Sequence, residues 1–284
     1  MEKHICSVQD FLNVVFEQSR RSTRELYYRG QADCEWSLLP SLCDRPKGSY
    51  SINEHKLVTE FIRIRPEEFE HIGDSFNVLA KMQHFRLRTR LLDVTTNPLV
   101  ALFFACFDNK NENKDGEVFI FNKASVYTCD DPVVRVISSC YIPTNIGSVN
   151  MLLAKLREKN IITDFEARAF PDFVSNLGTD QYFVKPKIFT ERQNRQGAAF
   201  ILFENERDLN DLNHIKYKYY IFDYKNDAIK DIGYRIILNA QRKEEILWEL
   251  DKLGINEMFL FPELQYTASY LNNRDKGNVR AERS

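Results

Sequence analysis

The pattern of this chain predicts an α+β fold: a mixed or antiparallel sheet core with helices packed around it and one helical insertion. Three observations predict it. Helical periodicities crowd the first two-thirds, strand-like runs crowd the last part, and no regular strand–helix–strand alternation joins them. The hydrophobic fraction, 43% of 284 residues, is ample for a core. No internal repeat and no flexible linker divides the sequence, so residues 1–272 are expected to form a single domain.

The elements follow in order. Residues 8–20, VQDFLNVVFEQSR, place Phe11, Leu12, Val15 and Phe16 on one helical face. ELYYRGQ (25–31) reads as a strand ending at a glycine, and EWSLLPSL (35–42) as a second short extended piece. Residues 52–71 and 74–85 are helical in pattern, with Leu57, Phe61 and Ile64 three and four apart. The interval 86–96 reads as irregular and polar. In NPLVALFFACFD (97–108), Asn97 is a good N-cap and Pro98 fits the first helical position. GEVFIFN (116–122) is a strand, and 149–176 is the expected helical insertion. QYFVKP (181–186), GAAFILF (197–203), KYYIFD (218–223) and YRIILN (234–239) read as strands. Residues 240–253 form an amphipathic helix: Asn239 caps it, Ile246, Leu250 and Leu253 share a face, and Gly254 stops it. Residues 273–284 are polar and expected to fray as a flexible tail.

The bulk chemistry excludes several classes. The net charge of −2 does not call for nucleic acid. Six cysteines form no C-x-x-C pair and match no zinc or compact disulfide spacing, so reduced thiols, no metal and a cytoplasmic location are expected. Cys106, inside an apolar helix, reads as a small core residue. The first residues lack the apolar segment of a signal peptide. The longest apolar run, PLVALFFACF (98–107), is too short to span a bilayer, so no membrane partner is expected. There is no Walker loop, no G-x-G-x-x-G and no G-x-S-x-G.

Four stretches carry candidate chemistry. Arg29 at a strand end, followed by Gly30 and Gln31, can grip phosphate or carboxylate bidentately while the glycine lets a ligand approach. The bland alternative is an arginine paired to a core carboxylate such as Asp93 or Glu35. Asp93, Thr95, Thr96 and Asn97 crowd before a helix start, where backbone amides attract anions; the alternative is simple capping. His84 can act as acid or base at neutral pH, or be a hydrogen-bonded structural residue. Gln196 and Gly197 repeat the Gln31–Gly30 logic at another strand start, with Arg192 and Arg195 adding charge or forming a solvated turn.

YYRGQ (27–31) and HFRLRTRLLDVTTNPLVALFFA (84–105) together resemble the FRG domain family, through an aromatic–Arg–Gly motif and the block formed by His84, Thr89, Arg90, Leu91, Leu92, Asp93, Thr95, Asn97 and Pro98. RQNRQGAAF (192–200) and LFPEL (260–264) look like further family elements. Where the family tends to have Gly and Pro between the His and the Thr-Arg pair, this chain has Arg86 and Arg88. The resemblance implies a bacterial phage-defence setting. A more distant resemblance to mono-ADP-ribosyltransferases implies NAD as substrate rather than a bound cofactor. Arg29 would then hold its phosphate or ribose, and Thr95 with Thr96 would be the hydroxyl pair of a strand lining the nicotinamide pocket. In such enzymes a carboxylate on a third strand holds the ribose, and here Gln196 stands in that place. The implied catalytic set is Arg29, His84, Thr95 and Gln196, with Tyr28, Gly30, Gln31, Arg90, Asp93, Thr96 and Asn97 binding the substrate. Two readings compete with this enzyme. One is a module that binds a nucleotide or nucleic acid without catalysis, with Arg86, Arg88 and Arg90 on one cationic face. The other is a nuclease using His84 and Asp93.

Overall fold

The computed structural model describes residues 2–42, 54–108, 111–122, 126–141, 149–168, 182–203, 205–208, 211–219 and 232–281. Its strands are β1 (Glu2–Ile5), β2 (Tyr27–Gln31), β3 (Leu91–Thr95), β4 (Gly116–Phe121), β5 (Val126–Thr128), β6 (Tyr182–Lys185), β7 (Ala198–Leu202), β8 (Asn205–Asp208), β9 (Asp211–Tyr219) and β10 (Ile232–Leu238). Eight of them form one mixed sheet in the order β1-β10-β4-β2-β3-β7-β6-β5, while β8 and β9 pair apart from it. The interior pairs are antiparallel, and parallel pairing is confined to the two edges, β1 with β10 and β5 with β6. The expected α+β class and mixed sheet are present.

The helices are α1 (Val8–Arg21), α2 (Glu54–Ile64), α3 (Ser75–His84), α4 (Pro98–Cys106), α5 (Pro132–Ser138), α6 (Val149–Glu158), α7 (164–168), α8 (Glu191–Arg195), α9 (Lys243–Lys252), α10 (Glu257–Leu260) and α11 (Leu264–Ala281). Residues paired directly across a ladder point to one face, so registers show what each face buries. Tyr28 pairs with Ile120 and Thr95, Thr95 with Ala198, and Asp93 with Phe200. That shared face carries two cores side by side. Tyr28, Val118, Ile120 and Ile236 pack with α1, α4 and α9 through Phe11, Val14, Val100, Leu102, Ile246 and Leu250. Leu91, Phe200, Leu202, Tyr182 and Val184 pack with α3, α5 and α6 through Phe76, Leu79, Met82, Val134 and Leu152. The other face holds a smaller aromatic cluster including Tyr27, Phe119, Phe121 and Phe183, covered by Leu38 and Phe203. The seam between the two larger cores lies between β2 and β3.

Helix α4 reaches the sheet there because glycine permits it. A Cβ on Gly30 would stand 1.8 Å from the Ala101 carbonyl oxygen, and one on Gly116 would stand 2.2 Å from that of Ala105. The space over the Gly30 Cα is therefore taken by the backbone of α4, which is what requires glycine there, while Gly30 also borders the cleft described below. Asn97 caps α4 as expected, accepting a hydrogen bond from Leu99 N at 3.0 Å.

Several expectations need correction. Residues 35–42 form turns rather than a strand, closed by the Trp36 N to Asp33 O bond. The interval 86–96 contains β3, whose Leu91, Leu92 and Val94 are buried. Its alternating apolar residues outweigh the polar ones around them. Strand β2 runs on through Gln31. Of the expected insertion, α6 and α7 are helical and 169–176 lies outside the described residues; so does most of KYYIFD. Helix α11 continues to Ala281, through much of the segment whose composition suggested fraying. The described cysteines are free thiols, and burial pushes Cys106 up to about 12. Among the described residues no helix is long and apolar enough to cross a membrane.

Candidate functional site

Strands β2 and β3 are fully laddered on their outer sides but share only the pair Tyr28–Thr95 with each other. Continued register would set Arg29 against Val94 and Gly30 against Asp93. The ladder stops short of these pairs, and the centre of the sheet opens. A cleft of about 330 Å³ occupies the opening, lined by β2, β3, α3, α4, α8 and the start of β7. Its size suits a small organic ligand or one nucleotide.

The structure brings Arg29, His84, Thr95 and Gln196 to this one cleft, together with Tyr28, Gly30 and Asp93. It leaves out Gln31, Arg90, Thr96 and Asn97, which are not among the lining residues. Arg29 is half-buried. Its Nε donates to Gln31 Oε1 at 3.0 Å and its Nη1 to the Asp93 carbonyl at 2.7 Å, bridging the gap where the ladder fails. Both acceptors are neutral, so the guanidinium keeps its charge for the cleft and has further N–H groups to offer. Burial lowers its pKa, opposed by the nearby Asp93 and Glu117 carboxylates. The alternative of a core ion pair is not realised among the described residues.

Thr95 and Gln196 are fasteners. The Thr95 hydroxyl donates to the Gln196 carbonyl at 2.6 Å and accepts from Asn97 N at 2.9 Å, so its one proton is spent. Gln196 Nε2 donates to the Leu260 carbonyl at 3.1 Å. Thr96 closes the same turn, its N and Oγ1 both directed to the Gly197 carbonyl. The expected hydroxyl pair therefore holds β3 to the α8–β7 turn. The start of α4 satisfies its own amides: Leu99 N bonds the Asn97 side chain and Ala101 N its carbonyl, which replaces the expected anion site with plain capping.

The other arginines are engaged. Arg90, 1% exposed, is paired with Glu54 and donates to the Ile137 carbonyl at 3.0 Å, and it does not line the cleft. Arg86, with φ +64°, donates to Tyr266 Oη at 2.8 Å. Arg88 is exposed and Arg90 buried, so 86–90 is not an extended strand and forms no common cationic face. Arg192 lies over the Phe261 ring and meets Glu263 at 3.5 Å. Arg195 binds the Phe259 carbonyl at 2.9 Å. These contacts clasp the LFPEL segment against the cleft wall.

His84 stands at the end of α3. Burial, then the Arg192 charge, lower its pKa, with Glu263 opposing, so it is neutral at pH 7. Asp93 is exposed into the cleft from the middle of a central strand, between buried Leu92 and Val94. Of the carboxylates nearest Gln196 in sequence, Glu191 pairs with Arg195 outside the cleft, and Glu204 lies outside the described residues.

Sequence reading missed Trp36, Gln83, Phe104, Phe107 and Asp108, all of which line the cleft. Phe104 and Phe107 are three apart on α4 and half-buried, and in an all-apolar helix nothing marked them off from the core. Trp36, 42% exposed, was the available signal: a large aromatic left in a turn next to YYRGQ.

Residues 24–114 match the family model of the FRG domain. The match includes Arg29, His84, Asp93 and Thr95 and excludes Arg192 and Gln196. No curated protein and no solved structure matches the chain.

Proposed function

We propose, from the premise of an FRG domain at residues 24–114, that the cleft between β2 and β3 binds a nucleotide with its phosphate on Arg29. One observation carries the reading: a half-buried guanidinium, held by two neutral acceptors, faces a cleft whose lining also includes the rings of Trp36, Phe104 and Phe107. Guanidinium matches phosphate through paired N–H donors, and Trp36, Phe104 and Phe107 offer rings to a base.

A finer reading, NAD cleavage, is favoured by Asp93. Its carboxylate opens into the same cleft as Arg29, so the site is not limited to the amide of Gln196. In that reaction the bond between nicotinamide nitrogen and ribose C1′ breaks, a water oxygen bonds to C1′, and the water's proton leaves to solvent. A nearby carboxylate stabilises the positive charge that develops on the ribose. An effector that drains NAD also fits the phage-defence setting implied by the family resemblance.

The test is thermal shift with ADP and NAD, followed by nicotinamide release. ADP raises the melting temperature of the wild type and not of Arg29→Ala. If neither nucleotide moves the wild-type transition, the nucleotide reading is wrong. If ADP shifts it and NAD yields no nicotinamide, the site is a nucleotide sensor and only the cleavage reading fails.

A further inference from the structure

Glu117 is 0% exposed in the middle strand β4, and nothing in the sequence pointed to it. A buried carboxylate is costly unless paired and hydrogen-bonded, and its neighbours on that face, Phe119 and Phe121, show that apolar residues pack there well. Its partners indicate a purpose. Glu117 Oε1 accepts from Gln31 Nε2 at 3.0 Å, across the registered pair Gln31–Glu117, and Oε2 accepts from Arg235 Nε at 2.7 Å. Gln31 Nε2 also donates to the Trp36 carbonyl at 3.2 Å. Both amide protons of Gln31 are thereby engaged, so its oxygen faces Arg29 Nε. A flipped amide would press its NH₂ against a guanidinium and its oxygen against a carboxylate. Arg235 meanwhile donates to the Cys34 carbonyl at 3.1 Å, holding the same loop that carries Trp36.

We propose that Glu117 is a positioning residue which, through Gln31, orients both contact groups of the cleft, the Arg29 guanidinium and the Trp36 loop. The proposal rests on the nucleotide reading and deepens it. It also reassigns Gln31 from a ligand contact to a link between the buried carboxylate and the phosphate arm.

The test compares ADP with adenosine by calorimetry, because their affinity ratio reports the phosphate arm alone. Glu117→Gln lowers that ratio about tenfold, the value of one charged hydrogen bond. A merely structural Glu117 would lower the melting temperature and leave the ratio unchanged. The conservative variant Glu117→Asp keeps a carboxylate acceptor for Gln31 and retains more of the ratio than Glu117→Gln. It also covers the case in which Glu117→Gln fails to fold. A second readout needs no ligand. The chain has two tryptophans, so in a Trp248→Phe background Trp36 alone fluoresces, and Glu117→Gln increases its quenching by acrylamide. An unchanged ratio or unchanged quenching overturns the proposal. A wild type that does not prefer ADP over adenosine sinks the nucleotide reading instead, and quenching then decides the positioning claim by itself.

Discussion

Arg29 lies in β2 and Arg90 just before the adjacent β3, both drawn from the motifs that carry the family resemblance, and their surroundings are opposite. Arg90 is sealed against Glu54 and the Ile137 carbonyl. Among the described residues, Arg29 is held by an amide oxygen and a backbone carbonyl, at the edge of a cleft. An arginine neutralised by a buried carboxylate has no charge left for a ligand. One held by neutral acceptors is kept rigid without being neutralised. The difference separates a structural arginine from a binding one, although the sequence presents both as equally polar motif residues.

Breaking each partner set should separate the two. Arg90→Ala strands Glu54 in the core and is expected to cost about 3–5 kcal/mol by urea unfolding. A loss under about 1 kcal/mol would remove Arg90 from the structural side. Gly30→Ala forces a methyl group into the Ala101 carbonyl 1.8 Å away, and is expected to cost about 3 kcal/mol or more. Gly73→Ala, with nothing within 4 Å, is the matched control and should stay within about 0.5 kcal/mol. Arg29→Ala should cost about 1.5–3 kcal/mol of stability, the value of hydrogen bonds from a charged donor and less than Arg90→Ala, while abolishing the ADP-induced thermal shift.

Two smaller effects sharpen the picture of the cleft's rim. Arg86 holds a left-handed backbone, φ +64°, which glycine adopts without a side-chain penalty. In a Tyr266→Phe background, which already lacks the hydrogen bond, Arg86→Gly should stabilise by about 1 kcal/mol. His84 has a lowered folded-state pKa, so the unfolded state binds its proton more readily. Its contribution is neutral above the unfolded value near pH 6.5 and turns destabilising as pH falls from there toward the folded value. His84→Gln should therefore flatten the fall in melting temperature between pH 7.5 and 5.5. An unchanged slope would contradict the assigned direction.

The α+β class was legible because helix periodicity and capping are local: Asn97 caps α4, and Gly254 with φ +82° ends the stretch after α9. Asn239, however, caps a 3-10 turn at 240–242 ahead of α9, and Leu253 is exposed rather than on the buried face. The cleft was legible in part. Arg29, His84, Thr95 and Gln196 do meet there, but their roles depend on partners remote in sequence. Thr95 is tied to a carbonyl 101 residues away, and Gly30 is required by the Ala101 carbonyl. Strand β3 was hidden in 86–96 because it is only five residues long, is interrupted by exposed Asp93 and begins beside polar residues. Glu117 was invisible because a lone acidic residue in an apolar strand has no signature until Gln31 and Arg235 are placed beside it.

The most direct measurement follows the Arg29 Nε–Hε signal by NMR, assigned with Arg29→Lys, during titration with ADP and with adenosine. The account predicts that ADP shifts the Arg29 signal, that adenosine does not, and that Arg90 stays still under both. Saturable ADP binding that leaves Arg29 unmoved, or moves Arg90 instead, would contradict it.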